Sequence, residues 1–374
     1  MGKANRVLVN LLQTNGQRGG IEVYSKELYT ELTKAGQEID FFALVSFEMS
    51  NCDYSWFNGT IIRSRVRSKS LLQWALAELF VVPYIAKKQA IDLIHCPAMI
   101  APIQKTIPVL LTIHDLNYFT HPKLTGSSLK ALVVRWMERV AVRGASRIIT
   151  ISEATKSQIL IHLPKAIAAT TVIPLAARKS LINSDKALPT LRSEPFFLAM
   201  GQRSPYKDFL TILKAFSLTL EDDNFPKLVI TGGTENDTLE KIVNNLGLGH
   251  RVTLKKRVPD AELQSLMTES LAIIDSTICT GFSLPAVEAM AQGVPVLLSD
   301  TAAFREIGKD AAKYFSTGNP LHLSQLLKAV VSRPEGLLHG SVRGVEIHGT
   351  RNWEDVANET LKIIRQVLSK TKVH

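Results

Sequence analysis

The chain has 374 residues, 45% hydrophobic and 21% charged, a soluble globular composition too long for one comfortable core and about right for two domains. Its three cysteines, Cys52, Cys96 and Cys279, are widely spaced with no CxxC pair, which argues against a disulfide framework or a zinc site and for a reducing, cytoplasmic compartment. The net charge of +10 sits almost wholly in the first half, where residues 1–178 hold 21 Lys/Arg against 12 Asp/Glu and the remainder 23 against 22.

In chain order, the apolar run "RVLVNLL" reads as a strand and is too short for a signal peptide. "NGQRGGIE" (Asn15–Glu22) follows it and opens the amphipathic helix "IEVYSKELYTELTKAG", ended by Gly36. Gly19 and Gly20 let backbone approach a ligand, and the helix N-terminus offers amides to an anion. A plain tight turn would also use these glycines. The spacing is not GxGxxG, so a nicotinamide cofactor is disfavoured. After the strand "IDFFALV" comes the basic run "RSRVRSKS" (Arg63–Ser70), beside the apolar "LLQWALAELFVVPYIAKK" (Leu71–Lys88). Gln73, Glu78 and Pro83 keep that segment short of a transmembrane span. The pair reads either as a contact with an anionic membrane surface or as a solvated loop before a core helix. No nucleic-acid-binding motif accompanies the charge.

"DLIHCPA", "PVLLTIHD", "SRIITIS" and "TTVIPLA" read as further strands, with "SLKALVVRWMERVAVRGA" and "SEATKSQILIHL" as helices and Ser152 as an N-cap. His114 and Asp115 end one of those strands. A histidine there can donate to a sugar hydroxyl or a phosphate and titrates near neutrality, or it serves the loop alone. His95 has a similar placement and weaker claims. "ARKSLINSDKALPTLRSEP" (177–195) is polar and aperiodic with two prolines, an interdomain linker. The alternation then restarts with "FFLAMG", "KLVITGG", "RVTLKKR", "LAIIDS" and "VPVLLSD" as strands between helices. The pattern predicts an α/β fold of doubly wound parallel sheets, in which ligands bind at the strand C-terminal ends.

"GQRSPYKD" (Gly201–Asp208) places Arg203 and Lys207 around a turn containing Pro205, two cations suited to a diphosphate whose negative charge grows as it leaves. In "TGFSLPAVEAMAQGVPVLLSD" (Thr280–Asp300), Gly281 and Ser283 keep a turn slim while the amides of Phe282, Ser283 and Leu284 face a phosphate or sugar. Glu288 lies among apolar residues and is costly to bury unless something binds it. It either holds two vicinal hydroxyls, such as those of a ribose, or serves an internal hydrogen bond.

Together these stretches resemble the retaining family-4 glycosyltransferases of the GT-B fold, over nearly the whole chain. "GGIEVYSKEL", "LLTIHDLNYF", "IITISEATK", "GQRSPYKDFLTILKAF" and the region from Thr280 are similar to the family's motifs. "NWEDVANETLKII" resembles the C-terminal helix that crosses back onto the first domain. The resemblance implies two Rossmann-like, doubly wound domains facing across a cleft. The first, 1–176 with the helix 352–374, would take the acceptor, and the second, 196–351, the nucleotide sugar. It implies hexosyl transfer with retention and neither metal nor other cofactor. By the same resemblance Arg203 and Lys207 stabilise the leaving diphosphate, His114 lies near the donor sugar, Gly19 and Gly20 lie near phosphates and acceptor, and Glu288 holds the ribose. No enzymic nucleophile is expected.

One position departs from the family. Its signature is a Glu, seven residues and a second Glu, and Thr280 occupies the first place. Either the sugar is contacted differently, with altered sugar choice, or the chain is an attenuated or noncatalytic partner subunit. An epimerase on the same architecture would need acid/base residues that are not evident. "YKDF" is similar to mannosyltransferase members, which favours GDP-mannose over a UDP-sugar. The basic first domain fits a glycan or lipid-linked acceptor in cell-envelope polysaccharide assembly, with the protein peripheral on the inner face of the membrane. No nucleic-acid partner is expected.

Overall fold

Unbroken aliphatic runs make strands buried on both faces, and helices between them supply the cover. In the computed structural model, which describes residues 4–16, 19–103, 106–181, 194–235 and 237–371, such runs form the centre of two parallel sheets. The first contains β1 (Asn5–Leu11), β2 (Ile39–Val45), β3 (Thr60–Arg63), β4 (Leu93–Cys96), β5 (Val109–Ile113), β6 (Arg147–Thr150) and β7 (Thr170–Val172), in the order β3-β2-β1-β4-β5-β6-β7. The second contains β8 (Phe196–Met200), β9 (Lys227–Gly233), β10 (Val252–Lys256), β11 (Ile273–Asp275), β12 (Val296–Ser299) and β13 (Ala312–Phe315), in the order β10-β9-β8-β11-β12-β13. Each sheet reverses its strand order once, between β1 and β4 and between β8 and β11. At such a switch point neighbouring connections leave on opposite faces and open a crevice at the strand C-terminal ends.

The chain divides into one unit of Met1–Pro122, Gly126–Leu175 and Trp353–His374 and another of Lys123–Thr125 and Ala176–Asn352. In the first, the helix Trp353–Thr371 lies on the helix Gly20–Ala35. The Trp353 and Tyr24 rings meet edge-on at 6.1 Å, and Arg365 Nη2 is 2.7 Å from Glu38 Oε1.

Four local departures from the sequence reading have physical causes. The edge strands β3 and β13 are only four residues each and partly exposed, so no apolar run announces them. The helix Leu338–His348 contains Gly340 and Gly344, residues that lower helix propensity. A Cβ at Gly344 would lie 2.9 Å from the Met290 carbonyl oxygen, so close packing on the helix Leu284–Ala291 replaces propensity there. Leu71–Lys88 is not one helix: Leu71–Leu76 and Val82–Lys88 flank a π-helical turn, Ala77–Val81. That turn carries Glu78 inward, where both its oxygens lie 2.9 Å from Asn10 Nδ2 and one lies 3.2 Å from Trp74 Nε1. Burial pushes the Glu78 carboxyl up to about 8.

The fourth departure concerns the linker. Ala177 and Leu181 are buried, and Gln264 Nε2 donates to the Leu181 carbonyl at 3.4 Å. The first residues of 177–195 therefore pack with the second unit, and 182–193 lie outside the described residues. Among the described residues no helix is long and apolar enough to cross a membrane.

Candidate functional site

In the second unit, the loop after β8 and the loop after β11 are stitched together across the switch point. Ser276 Oγ donates to the carbonyls of Lys207 and Asp208 at 2.8 and 2.9 Å, and the Ile278 amide donates to the Tyr206 carbonyl at 2.8 Å. Asp208, held at φ 47°, caps the helix Phe209–Ser217 by accepting from the Thr211 amide. These bonds fix the 3-10 turn Pro205–Lys207 and aim the Lys207 side chain along the loop. Lys207 Nζ comes 3.8 Å from Oδ2 of Asp275, the last residue of β11. Asp275 also accepts from the hydroxyls of Ser283, at 2.8 Å, and Thr277. The sequence signal for Asp275 is a carboxylate closing the apolar strand "LAIIDS".

Arg203 is less open than its sequence suggested. Its Nε donates to both Asp237 oxygens at 3.0 and 2.9 Å, and its Nη1 donates to the carbonyls of Gly201 and Thr231 at 3.1 and 2.8 Å. The guanidinium lies 5.0 Å from the Phe209 ring centroid. Burial pushes Asp237 up, but the bonds from Arg203 and the Leu239 amide outweigh it and hold the carboxyl below its ordinary value. A Cβ on Gly233 would fall 2.4 Å from Asp237 Oδ2 and 3.0 Å from Arg203 Nη2, so the glycines ending β9 make the seat for this pair. Arg203, one of the two cations read around the turn, is a charge set in place by these bonds.

The loop that begins with Thr280 closes on itself. Thr280 Oγ1 donates to the Phe282 carbonyl at 2.6 Å and accepts from the Phe282 amide at 3.3 Å. The hydroxyl is a turn-former, and it engages one of the three amides read as ligand contacts. Gly281 lies between these partners, and the Ser283 and Leu284 amides start the helix Leu284–Ala291, with Ser283 Oγ accepting from the Ala286 amide. Glu288, one turn in and 1% exposed, has a partner the sequence did not reveal. Arg178 Nε donates to its Oε1 at 2.6 Å and Nη2 to its Oε2 at 3.1 Å, while Nη1 donates to Asp260 at 2.9 Å. Burial raises the Glu288 carboxyl above its ordinary value, with Arg178 opposing. The internal partner left open beside a ribose is thus present as an ion pair, formed by a residue of the segment read as linker.

In the first unit, Gly19 stands at φ 45° before the helix Gly20–Ala35, a backbone that favours glycine. Among the described residues a Cβ at Gly20 would meet nothing within 4 Å. Glu22 Oε1 accepts from the amides of Asn15 and Gly16 at 2.8 Å each and shapes the loop. Gln17 and Arg18 of the same loop lie outside the described residues. His114 is 7% exposed, with Nε2 2.8 Å from the Pro97 carbonyl and its ring 4.7 Å edge-on from Tyr24. Burial pushes it down to about 4, which corrects the expectation of titration near neutrality. The carbonyl assigns the proton to Nε2, so Nδ1 is an acceptor. His95 bonds Tyr29 and, at 3.1 Å, Thr112, and burial pushes it down to about 3; it is a core residue.

Glu138 was not singled out in the sequence, yet it is 1% exposed and, among the described residues, neither carboxyl oxygen has a hydrogen-bond partner. Burial first and Asp115 second push it up to about 9, against Arg139 and Arg135. An acid raised in the folded state keeps its proton there between about 4.5 and 9, so its stabilising contribution is full below its unfolded value and is lost as pH rises. Glu138→Gln should therefore match wild type near pH 4 and be more stable by about 1–3 kcal/mol near pH 9. Melting temperatures across that range check this, and parallel curves for the two proteins would contradict it.

Among the described residues no group of three or more His, Cys, Asp or Glu side chains is placed to hold a metal ion. Residues 183–337 match the glycosyl transferases group 1 family model, and residues 18–176 match the glycosyltransferase family 4 model. The chain is 25% identical over 244 residues to the O-antigen chain mannosyltransferase RfbU of Salmonella typhimurium strain LT2, covering 64% of this chain and 66% of that one, just under two thirds of its length. A sucrose-phosphate synthase of Thermosynechococcus elongatus superposes with a TM-score of 0.82 at 18% identity, covering 98% and 100% of the two chains. Anabaena Alr3699/HepE, solved in complex with UDP-glucose, does so with a TM-score of 0.71 at 15% identity, covering 99% and 100%.

Proposed function

We infer a sugar transfer from a plain premise: the chain belongs to the family-4 glycosyltransferases, and its fold is that of the GT-B enzymes. We propose that it moves mannose from GDP-mannose, with retention, to a hydroxyl of a glycan or lipid-linked acceptor in cell-envelope polysaccharide synthesis. The observation that carries the reading is the switch point of the second sheet, where Lys207, Asp275 and the helix start at Ser283 converge. The likeness to an O-antigen mannosyltransferase supports the sugar and the pathway class. The row of exposed Leu72, Phe80 and Tyr84 after the basic run supports a peripheral place on the inner face of the membrane.

The chemistry follows from the residues in place. The donor diphosphate lies against Lys207 and the amides of Ser283 and Leu284. Arg203, already bonded, adds positive charge that needs no reorganisation as the leaving group departs. The bond from the anomeric carbon to the diphosphate oxygen breaks as the acceptor hydroxyl forms its own bond on the same face. The hydroxyl proton passes to a diphosphate oxygen. In the first unit, His114 Nδ1 is the acceptor offered to a sugar hydroxyl. Arg178 covers both oxygens of Glu288, and the carboxylate, with about four lone-pair sites, takes the vicinal ribose hydroxyls once Arg178 gives way.

A thermal-shift screen with UDP, GDP, ADP and their sugar conjugates tests this on wild type and Glu288→Ala. GDP and GDP-mannose should stabilise wild type by about 2.7 kcal/mol at a hundred times the dissociation constant, and Glu288→Ala should respond to neither. Stabilisation by UDP alone would replace the base. No response of wild type to any nucleotide would overturn the donor site and favour a noncatalytic subunit.

A further inference from the structure

At the other switch point, between β1 and β4, the first unit contains a cavity of about 340 Å³. Its polar side is Gln13 and Asn15 from the loop after β1, Ser68 and Lys69 from the basic run, and Lys130 from the helix Ser128–Gly144. Among the described residues no carboxylate lines it. Neither lysine enters an ion pair among the described residues. Glu48, an acid that reaches the basic run, is occupied with backbone: its oxygens accept from the amides of Ser68 at 3.0 Å and Lys69 at 3.4 Å. Glu48 thus fixes the loop that presents Lys69 and leaves the ammonium free. The Ser68 hydroxyl is buried and makes no well-formed hydrogen bond, its main polar neighbour being Glu48.

The remaining wall is apolar, with Leu71, Trp74, Ile100 and Val134. The apolar character continues outside on both helices that supply it. Leu72 is 69% exposed on one side, and Leu129 and Trp136 are 71% and 56% exposed on the other. Two unpaired cations above polar donors call for a compact dianion, and the wall beside them calls for hydrocarbon.

We propose that this cavity binds the phosphate of an amphiphile, a phosphomonoester, phosphodiester or diphosphate attached to an apolar chain, with Lys69 and Lys130 as its charge partners. This deepens the proposed function and rests on it for one point only, that the amphiphile is the acceptor or the lipid beside it. The apolar tail leaves along Trp74 and Val134 toward the exposed leucines.

The test uses the full chain, wild type and the double variant Lys69→Gln/Lys130→Gln, with Lys87→Gln/Lys88→Gln as a charge-matched control. Calorimetry with decyl phosphate, inorganic phosphate and decyl maltoside, all below micellar concentration, should show decyl phosphate bound most tightly by wild type and by the control. Each lysine lost should weaken that binding about tenfold or more. Equal binding of decyl phosphate by the double variant overturns the proposal, as does inorganic phosphate or decyl maltoside binding as tightly as decyl phosphate. Sedimentation with phosphatidylglycerol vesicles separates the two sources. Loss of both decyl phosphate and vesicle binding assigns the site to a bilayer headgroup, and loss of decyl phosphate alone assigns it to the acceptor's own phosphate. The GDP response belongs to the second unit and should be the same in all three proteins. Its absence would sink the donor reading and leave the phosphate site standing.

Discussion

Arg178→Ala should destabilise the second unit by about 3–5 kcal/mol, the range for removing one partner of a buried ion pair. The figure follows from what the change leaves behind. Glu288 is 1% exposed inside a helix whose other residues are aliphatic or small, and the Arg178 guanidinium donates to both of its oxygens. Without that guanidinium the carboxylate must either stay charged in an apolar setting or take up a proton. The loss should therefore shrink as pH falls, because the unpaired acid is neutralised. It should also shrink in Arg178→Ala/Glu288→Gln, where no charge is left to bury. Asp260, half exposed, contributes little, since water replaces its bond. Urea unfolding of the two singles and the double closes the cycle. If the double loses as much as the two singles combined, the pair is not coupled and the assignment of Arg178 fails.

The same pair shows where the sequence is legible and where it stops. Strand runs such as 41–45 of β2 and Phe196–Met200 read directly, because burial on both faces demands unbroken apolar residues. The cap at Ser152 was readable for a local reason, its hydroxyl accepting from the Thr155 amide three residues on. Arg178 was not readable. It lies 110 residues from Glu288, in a polar stretch that carries no periodicity, and only the fold brings the two together. Asp237, 34 residues from Arg203, is hidden in the same way. Residue types told which side chains carry charge at the strand ends; they did not tell which charges were already spoken for. His114 makes the complementary point. Its place after β5 was visible, whereas its neutrality comes from burial beside Tyr24, against the pull of the Pro97 carbonyl toward the charged form, and burial belongs to the assembled unit.

Lys207→Ala should lower kcat by about 10²–10³-fold, the usual cost of removing one preorganised charge partner from a developing anion, with little change in stability. Lys207 is the variant to make because its removal is clean. Asp275 loses an ammonium at 3.8 Å but keeps the Ser283 and Thr277 hydroxyls, so no buried carboxylate is stranded. Arg203→Ala would be ambiguous, since it strips Asp237 of its partner and two carbonyls of their donor. The split between constants decides the role. Charge grows on the diphosphate only as the anomeric bond breaks, so an ammonium that serves the transition state affects kcat more than donor affinity. Single-turnover release of mannose from GDP-mannose, with GDP binding measured beside it, gives both quantities. A fall in turnover with GDP affinity within about threefold of wild type fits an ammonium that pairs with the leaving group as it forms. A weakened GDP complex with turnover intact at saturating donor would mean that Lys207 holds the ground state alone, and the leaving-group role would pass to Arg203.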